Sequence, residues 1–94
     1  MEPGSPISRL LELADRLQSV PALPPQRVAT ILGNDVRTIY RRLESGTLER
    51  VPRGGRSWVS VRSIIKYLER EYGATEEFNI LAEIVVAESE LRHQ

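Results

Sequence analysis

The dipeptide Gly54-Gly55 lies between two short segments, residues 48–53 and 56–61. Two consecutive glycines accept the positive φ angles of the tightest hairpin turns, so residues 48–53 and 56–61 are predicted to pair as antiparallel strands. Most of the remaining chain has the apolar periodicity of helices. The predicted fold class is therefore mainly α with a small two-stranded β hairpin, within a single small domain of 94 residues.

Helix boundaries are indicated by capping residues, prolines and glycines. Ser60 and Thr75 are suited to cap helices, and Gly33 is suited to end one. Three prolines between residues 20 and 25 predict an extended connector, because proline cannot continue a helix. Five helices are predicted, over residues 6–18, 25–32, 35–45, 61–72 and 76–92.

The third predicted helix, residues 35–45, has two chemically distinct faces. At helical spacing its apolar residues form one stripe, predicted to lie in the core: Val36, Ile39, Tyr40 and Leu43. The opposite face is cationic and rich in hydrogen-bonding groups, with Thr38, Arg41 and Ser45 at its centre and Arg37 and Arg42 beside them. Such a face suits contact with an anionic partner.

Charge is unevenly distributed along a chain whose net charge is zero. Residues 23–72 contain ten basic and five acidic side chains, a balance of +5, whereas residues 1–22 carry −1 and residues 73–94 carry −4. Twelve of the thirteen cations are arginine, which binds phosphate and guanine through two parallel hydrogen bonds. The centre of the chain is thus predicted to bind nucleic acid.

The second and third predicted helices have the spacing of a helix-turn-helix. Ala29 is small where the helices would cross, Gly33 follows four residues later in the turn, and Ile39 follows six after that as a buried anchor. Because a hairpin comes next, the sequence predicts a winged helix-turn-helix flanked by N- and C-terminal helices. Three segments follow: an N-terminal helix and connector (1–22), the winged DNA-binding domain (23–72) and a C-terminal helix (73–94).

The stretch LPPQRVATILGNDVRTIYRRLESGTLERVPRGGRSWVSVRSIIKYL, residues 23–68, resembles the winged domains of the excisionase family and the MerR superfamily. The resemblance implies that Arg37, Thr38 and Arg41 face the major groove, and that Arg53 and Arg56 approach the backbone or minor groove. The full set of candidate DNA-binding residues is Arg37, Thr38, Arg41, Arg42, Ser45, Arg50, Arg53, Gly54, Gly55 and Arg56.

Catalytic and metal-binding chemistry has little support in the sequence. Cysteine is absent, and the single histidine, His93, is next to the last residue. We therefore expect no catalysis, no metal and no cofactor. With no apolar stretch near the roughly 20 residues of a membrane span and no secretory signal at the start, we expect a cytoplasmic, nucleoid-associated protein.

The C-terminal helix is apolar on nearly every side. Ile80, Ile84, Ala87 and Leu91 recur at 4-3-4 spacing, and Leu81 lies on an adjacent stripe. A helix of this kind needs two partners, so we expect homodimerisation through these five residues, which would set two copies on paired DNA half-sites. The alternative is packing of the same residues onto the first helix of the same chain.

The functional prediction is sequence-specific binding of double-stranded DNA by a small transcriptional regulator or an excisionase-like recombination directionality factor. A third possibility of similar fold is the DNA-recognition part of a phage terminase small subunit. The alternative from another class is a protein-interaction module, in which the arginines only solvate the fold and the C-terminal helix docks on a larger protein. Clustering of Arg37, Arg41, Arg53 and Arg56 on one side would favour DNA binding.

Overall fold

The computed structural model describes residues 5–17 and 20–92, and these form a mainly helical domain with a small antiparallel sheet. The elements in chain order are α1 (Pro6–Leu17), β1 (Ala22–Leu23), α2 (Pro25–Leu32), α3 (Val36–Ser45), β2 (Arg50–Arg53), β3 (Arg56–Ser60), α4 (Val61–Tyr72) and α5 (Glu76–Arg92). All five predicted helices are present. The predicted last residue of the first helix, Gln18, and the terminal His93 lie outside the described residues.

The helices α3, α4 and α5 begin where a side chain supplies an oxygen for an otherwise unpaired backbone N–H. The Asp35 carboxylate accepts from the N–H of Arg37 at 2.8 Å, and the Ser60 hydroxyl accepts from the N–H of Ser63 at 3.3 Å. Thr75 likewise accepts from a backbone N–H at the start of α5, at 3.2 Å. The predicted caps at Ser60 and Thr75 are confirmed, and all three boundaries follow from local chemistry.

The predicted hairpin is confirmed, but the sheet contains one more strand than expected. β2 pairs with β3 around Gly54 and Gly55, whose φ angles are +56° and +81°. On the other side of β3, Ala22 and Leu23 pair with Ser60 and Val59, giving the strand order β1-β3-β2. The prediction of a two-stranded sheet was therefore wrong, because part of the proline-rich connector completes the ladder along the free edge of β3.

One hydrophobic core joins the elements on both sides of the predicted segment boundaries. Leu10 of α1, Ile39 of α3, Val59 of β3 and Val85 of α5 belong to the same buried cluster. α5 packs along α4 and also contacts α1 and α2. The terminal helices therefore cover the same core as the central residues.

Tyr40 departs from the predicted core stripe of α3. Ile39 and Leu43 are buried and Val36 is half-buried, whereas Tyr40 retains 47% of its accessible surface. Its position at the edge of the apolar stripe lets the ring lie beside the core, in an open cleft described below. Tyr40 is therefore an aromatic residue at the edge of the core, and its ring is available to a partner.

Within the described residues, no helix has the length and apolar character needed to cross a membrane. The same part of the chain contains no cluster of three or more acidic, histidine or cysteine side chains that could hold a metal ion.

Candidate nucleic-acid interface

A tight turn sets the geometry of α3 relative to α2. Gly33 adopts the left-handed conformation at φ +71°, and its N–H donates to the carbonyl of Thr30 at 3.3 Å. The next N–H, of Asn34, returns to the carbonyl of Ala29 at 2.9 Å. Glycine tolerates this backbone conformation at no steric cost, which allows the chain to reverse into the cap of α3 within three residues.

The outer face of α3 presents the residues expected there. Arg37, Arg41 and Ser45 are exposed and Thr38 is half-exposed, while Ile39 is fully buried behind them. Arg41 has no ion-pair partner among the described residues. Its guanidinium is therefore free to bind an anion or a base edge.

Arg37 is held at the first turn of α3 by its own capping residue. Its Nε and one terminal nitrogen each donate to the Asp35 carboxylate at 3.2 Å. This side-chain contact is the main cause that lowers the pKa of Asp35, and the hydrogen bond from the Arg37 backbone N–H lowers it further. The pair leaves Arg37 oriented but partly neutralised, so Arg37 contributes less free positive charge than Arg41.

Arg42 has a different environment from the other arginines of α3. Its guanidinium lies 4.6 Å from the centre of the Tyr67 ring on α4, and one terminal nitrogen is buried without a hydrogen-bond partner. Burial raises the pKa of Tyr67, and the Arg42 charge opposes that rise. Arg42 therefore ties α3 to α4 by a cation–π contact as well as adding charge.

The hairpin arginines divide between its two faces. Arg53 and Arg56 are direct cross-strand partners, so both point to one face of the hairpin. Arg50 is three positions from Arg53 along β2 and pairs with the buried Val59, which places it on the other face. Arg50 is exposed, as is Arg56, whereas Arg53 is half-buried.

Arg53 is positioned by contacts within the protein. It donates a hydrogen bond to the carbonyl of Val20, and its guanidinium lies 6.0 Å from the centre of the Trp58 ring. Arg92, at the end of α5, approaches the same ring at 6.0 Å. These contacts connect the hairpin to the residues before β1 and to α5, leaving Arg56 as the arginine of that face without a partner among the described residues.

An open cleft of about 460 Å³ lies between α3, the hairpin and the start of α2. Tyr40 of α3 and Arg56 of β3 both line it. The other lining residues are Pro24, Pro25, Gln26, Ser57 and Trp58. α3 and the hairpin therefore share a concave surface. Tyr40 and Gln26 were not among the predicted site residues. The position of Tyr40 at the border of the apolar stripe of α3 was the sequence feature that could have indicated its place in the cleft.

The acidic side chains of α5 pair with arginines of other helices. Arg9 of α1 donates to Glu83 and, at 2.7 Å, to Glu90, contacts that raise the pKa of Arg9. Arg27 of α2 binds both oxygens of Glu88, with its Nε at 3.1 Å, and this contact lowers the pKa of Glu88. Three of the five acidic side chains of α5 are thus ion-paired within the fold, by two arginines.

The Arg27–Glu88 pair predicts a component of stability that is sensitive to acid. The pKa of Glu88 in the folded chain lies below its ordinary value of 4.5, so the pair stabilises the fold above that pH and is lost as pH falls through the lowered pKa. We expect the free energy of unfolding in urea to fall less steeply between about pH 5 and 3 in Glu88→Gln than in the wild type. Glu44→Gln, on an exposed position of α3, is the control, and its free energy of unfolding should fall with pH as steeply as that of the wild type. An equally steep fall in Glu88→Gln and the wild type would contradict the prediction.

The structure places the five predicted oligomerisation residues in two different environments. Ile80, Ile84, Ala87 and Leu91 are exposed on α5, whereas Leu81 is half-buried and packs against the core cluster. Packing onto α1 therefore does not account for the 4-3-4 row.

Comparison of this chain with protein-family models, with curated proteins and with solved structures finds no match. Its function has to be inferred from the geometry and charge described above.

Proposed function

We propose that the chain binds double-stranded DNA as a winged helix-turn-helix, with α3 in the major groove and the hairpin as the wing. The observation that carries the proposal is the shared cleft. Tyr40 of α3 and Arg56 of the hairpin line one concave surface, and Arg41 is exposed on the outer face of the same helix α3. A helix with an exposed cationic face and a neighbouring hairpin with an exposed arginine suit a groove and its bordering phosphates.

Each side chain has a distinct role in this proposal. Arg41 and Thr38, central on the outer face of α3, read base edges, and Arg37 binds a base or phosphate near the helix start. Arg56 and the Gly54-Gly55 tip approach the adjacent backbone, where the absence of side chains at the tip permits close contact. Arg53 orients the hairpin through its contacts with Val20 and Trp58.

Ion pairing within the fold explains how a chain with no net charge can bind an anionic partner. Much of the acidity of α5 is bound to Arg9 and Arg27, away from α3, and Arg41 and Arg56 keep their charge free. The biological role in this proposal is that of a small transcriptional regulator or an excisionase-like factor in recombination. It assigns the chain no catalysed reaction.

Fluorescence anisotropy on a short mixed-sequence duplex at several salt concentrations tests the proposal. With Arg37 and Arg56 as the phosphate-neutralising cations, we expect log K to fall with log salt at a slope of about −2 per bound chain. Arg56→Ala should weaken binding on all sequences and reduce the magnitude of that slope by about 0.9.

Arg70→Ala, on an exposed position near the end of α4, is the matched control and should leave both affinity and slope unchanged. Absence of binding at low salt, or equal losses from the two variants, would refute the proposed interface. If the wild-type chain binds as expected, a selection from random duplexes identifies its preferred sequence.

A further inference from the structure

The last residue of α5 lies against the hairpin. The guanidinium of Arg92 is 6.0 Å from the centre of the Trp58 ring, and the guanidinium of Arg53 is 6.0 Å from the same centre. Arg92 is the one basic residue of α5, so the cation of this helix is at the end that meets the sheet. The fold thereby adds to the hairpin a charge that the two strands do not themselves contain.

The strand register places this charge beside the face of the hairpin that carries Arg56. Trp58 and Arg56 are two positions apart on β3, so both side chains leave the same face, about 7 Å apart along the strand. Arg53, opposite Arg56 on β2, shares that face. Each DNA strand carries one phosphate per about 3.4 Å of helix axis, so cations spread over this distance can meet neighbouring phosphates.

The guanidinium of Arg92 keeps its hydrogen-bonding capacity. Arg92 is exposed and, within the part of the chain that the structure describes, makes no hydrogen bond and no ion pair. A guanidinium has five N–H donors, and a contact of 6.0 Å with the Trp58 ring occupies none of them. Arg92 is thus held beside the hairpin with its donors available to an anion.

The acidic side chains close to Arg92 in the sequence do not cancel its charge. Glu88, one turn before Arg92, binds Arg27 through both carboxylate oxygens, so these three side chains together keep one positive charge. Glu90 is two positions from Arg92, and side chains at that spacing lie on different sides of a helix. On its own side, Glu90 shares an arginine of α1 with Glu83.

The remaining acidic residues of α5 are at its other end. Among the described residues Glu76 and Glu77 make no ion pair, and they lie in the first turn of α5, whereas Arg92 lies in its last turn. At about 1.5 Å per residue the two turns are about 23 Å apart, nearly three Debye lengths at physiological salt. The charge of Glu76 and Glu77 is therefore screened from a phosphate at the hairpin.

We propose that Arg92 binds a DNA phosphate, so that the C-terminal end of α5 and the hairpin together hold the backbone beside the groove that α3 enters. The inference rests on the proposed DNA binding and extends its surface beyond residues 23–72. The Trp58 ring keeps the Arg92 guanidinium close to the hairpin through a cation–π contact. With Arg92 added to Arg37 and Arg56, the expected salt slope changes from about −2 to about −3 per bound chain.

Fluorescence anisotropy on one duplex at several salt concentrations tests the inference with three variants. Arg92→Gln should reduce the magnitude of the slope by about 0.9 and weaken binding about tenfold at about 50 mM salt, because one counterion fewer is released. Arg92→Lys keeps the charge and should keep the wild-type slope. Arg70→Gln, the same loss of charge at an exposed position of α4, is the matched control and should change neither affinity nor slope.

Circular dichroism verifies that each variant is folded at the temperature of the titration. A wild-type chain that binds with a salt-dependent slope, and an Arg92→Gln variant that matches it, would overturn the inference and leave the α3–hairpin proposal standing. Equal slope losses in Arg92→Gln and Arg92→Lys, or in Arg92→Gln and Arg70→Gln, would also overturn it. Failure of the wild-type chain to bind at low salt would instead refute the DNA proposal, and this inference with it.

Discussion

Replacing Ile39 by alanine is expected to lower the free energy of unfolding by about 3 kcal/mol and the melting temperature by about 15 °C. Ile39 is fully buried in the core cluster and anchors α3 from beneath its cationic face. Truncation removes apolar contacts and leaves a cavity that neighbours such as Val28 and Leu43 can fill only in part. Since small domains are stable by about 5–15 kcal/mol, this single change removes a large share of the total.

Urea titration followed by circular dichroism measures the effect. Thr38→Ala, the preceding and half-exposed residue, is the control and should change the free energy of unfolding by no more than about 0.5 kcal/mol. If Ile39→Ala were equally mild, α3 would not be anchored by its buried stripe. At temperatures where the variant remains folded, its DNA affinity should match that of the wild type, because its cationic face is unchanged.

Reversing the charge of Arg41 is expected to reduce DNA affinity between about 10- and 100-fold at low salt while leaving stability unchanged. Arg41 is exposed at the centre of the outer face and has no ion-pair partner among the described residues. A glutamate there removes one cation from the groove and adds an anion close to the phosphates, where Asp35 already lies.

Lys66→Glu provides a control with the same change in net charge. Lys66 is exposed on α4, outside the α3–hairpin cleft, so its reversal should alter affinity by less than about threefold. Anisotropy titrations of both variants on one duplex make the comparison. Equal losses would mean that overall charge governs binding, and no loss in Arg41→Glu would exclude α3 as the reading helix.

Much of the candidate site could be predicted because it depends on residues close together in the chain. The cap at Asp35, the positive φ angles at Gly54 and Gly55, and the cationic outer face of α3 involve neighbours within about four positions. Backbone sterics and capping hydrogen bonds act at this range, so the sequence specifies them directly. The apolar row of α5 was visible for the same reason.

Residues at the edges of apolar stripes could not be placed from the sequence. Tyr40 and Leu81 each lie beside a stripe, and the sequence does not say on which side the next element packs. The structure turns Tyr40 into the cleft and Leu81 onto the core. A residue at the border of a helix face is buried or exposed according to a neighbour that is distant in sequence.

The sequence by itself determined where helices begin and end, where the hairpin turns, and which face of α3 is cationic, because each depends on local backbone chemistry. Only the tertiary structure decided that Ala22 and Leu23 complete the sheet, that Arg42 lies on Tyr67, and that Arg9 and Arg27 pair with three acidic side chains of α5. These features join residues far apart in the chain, and such contacts become favourable only once the common core has brought the elements together.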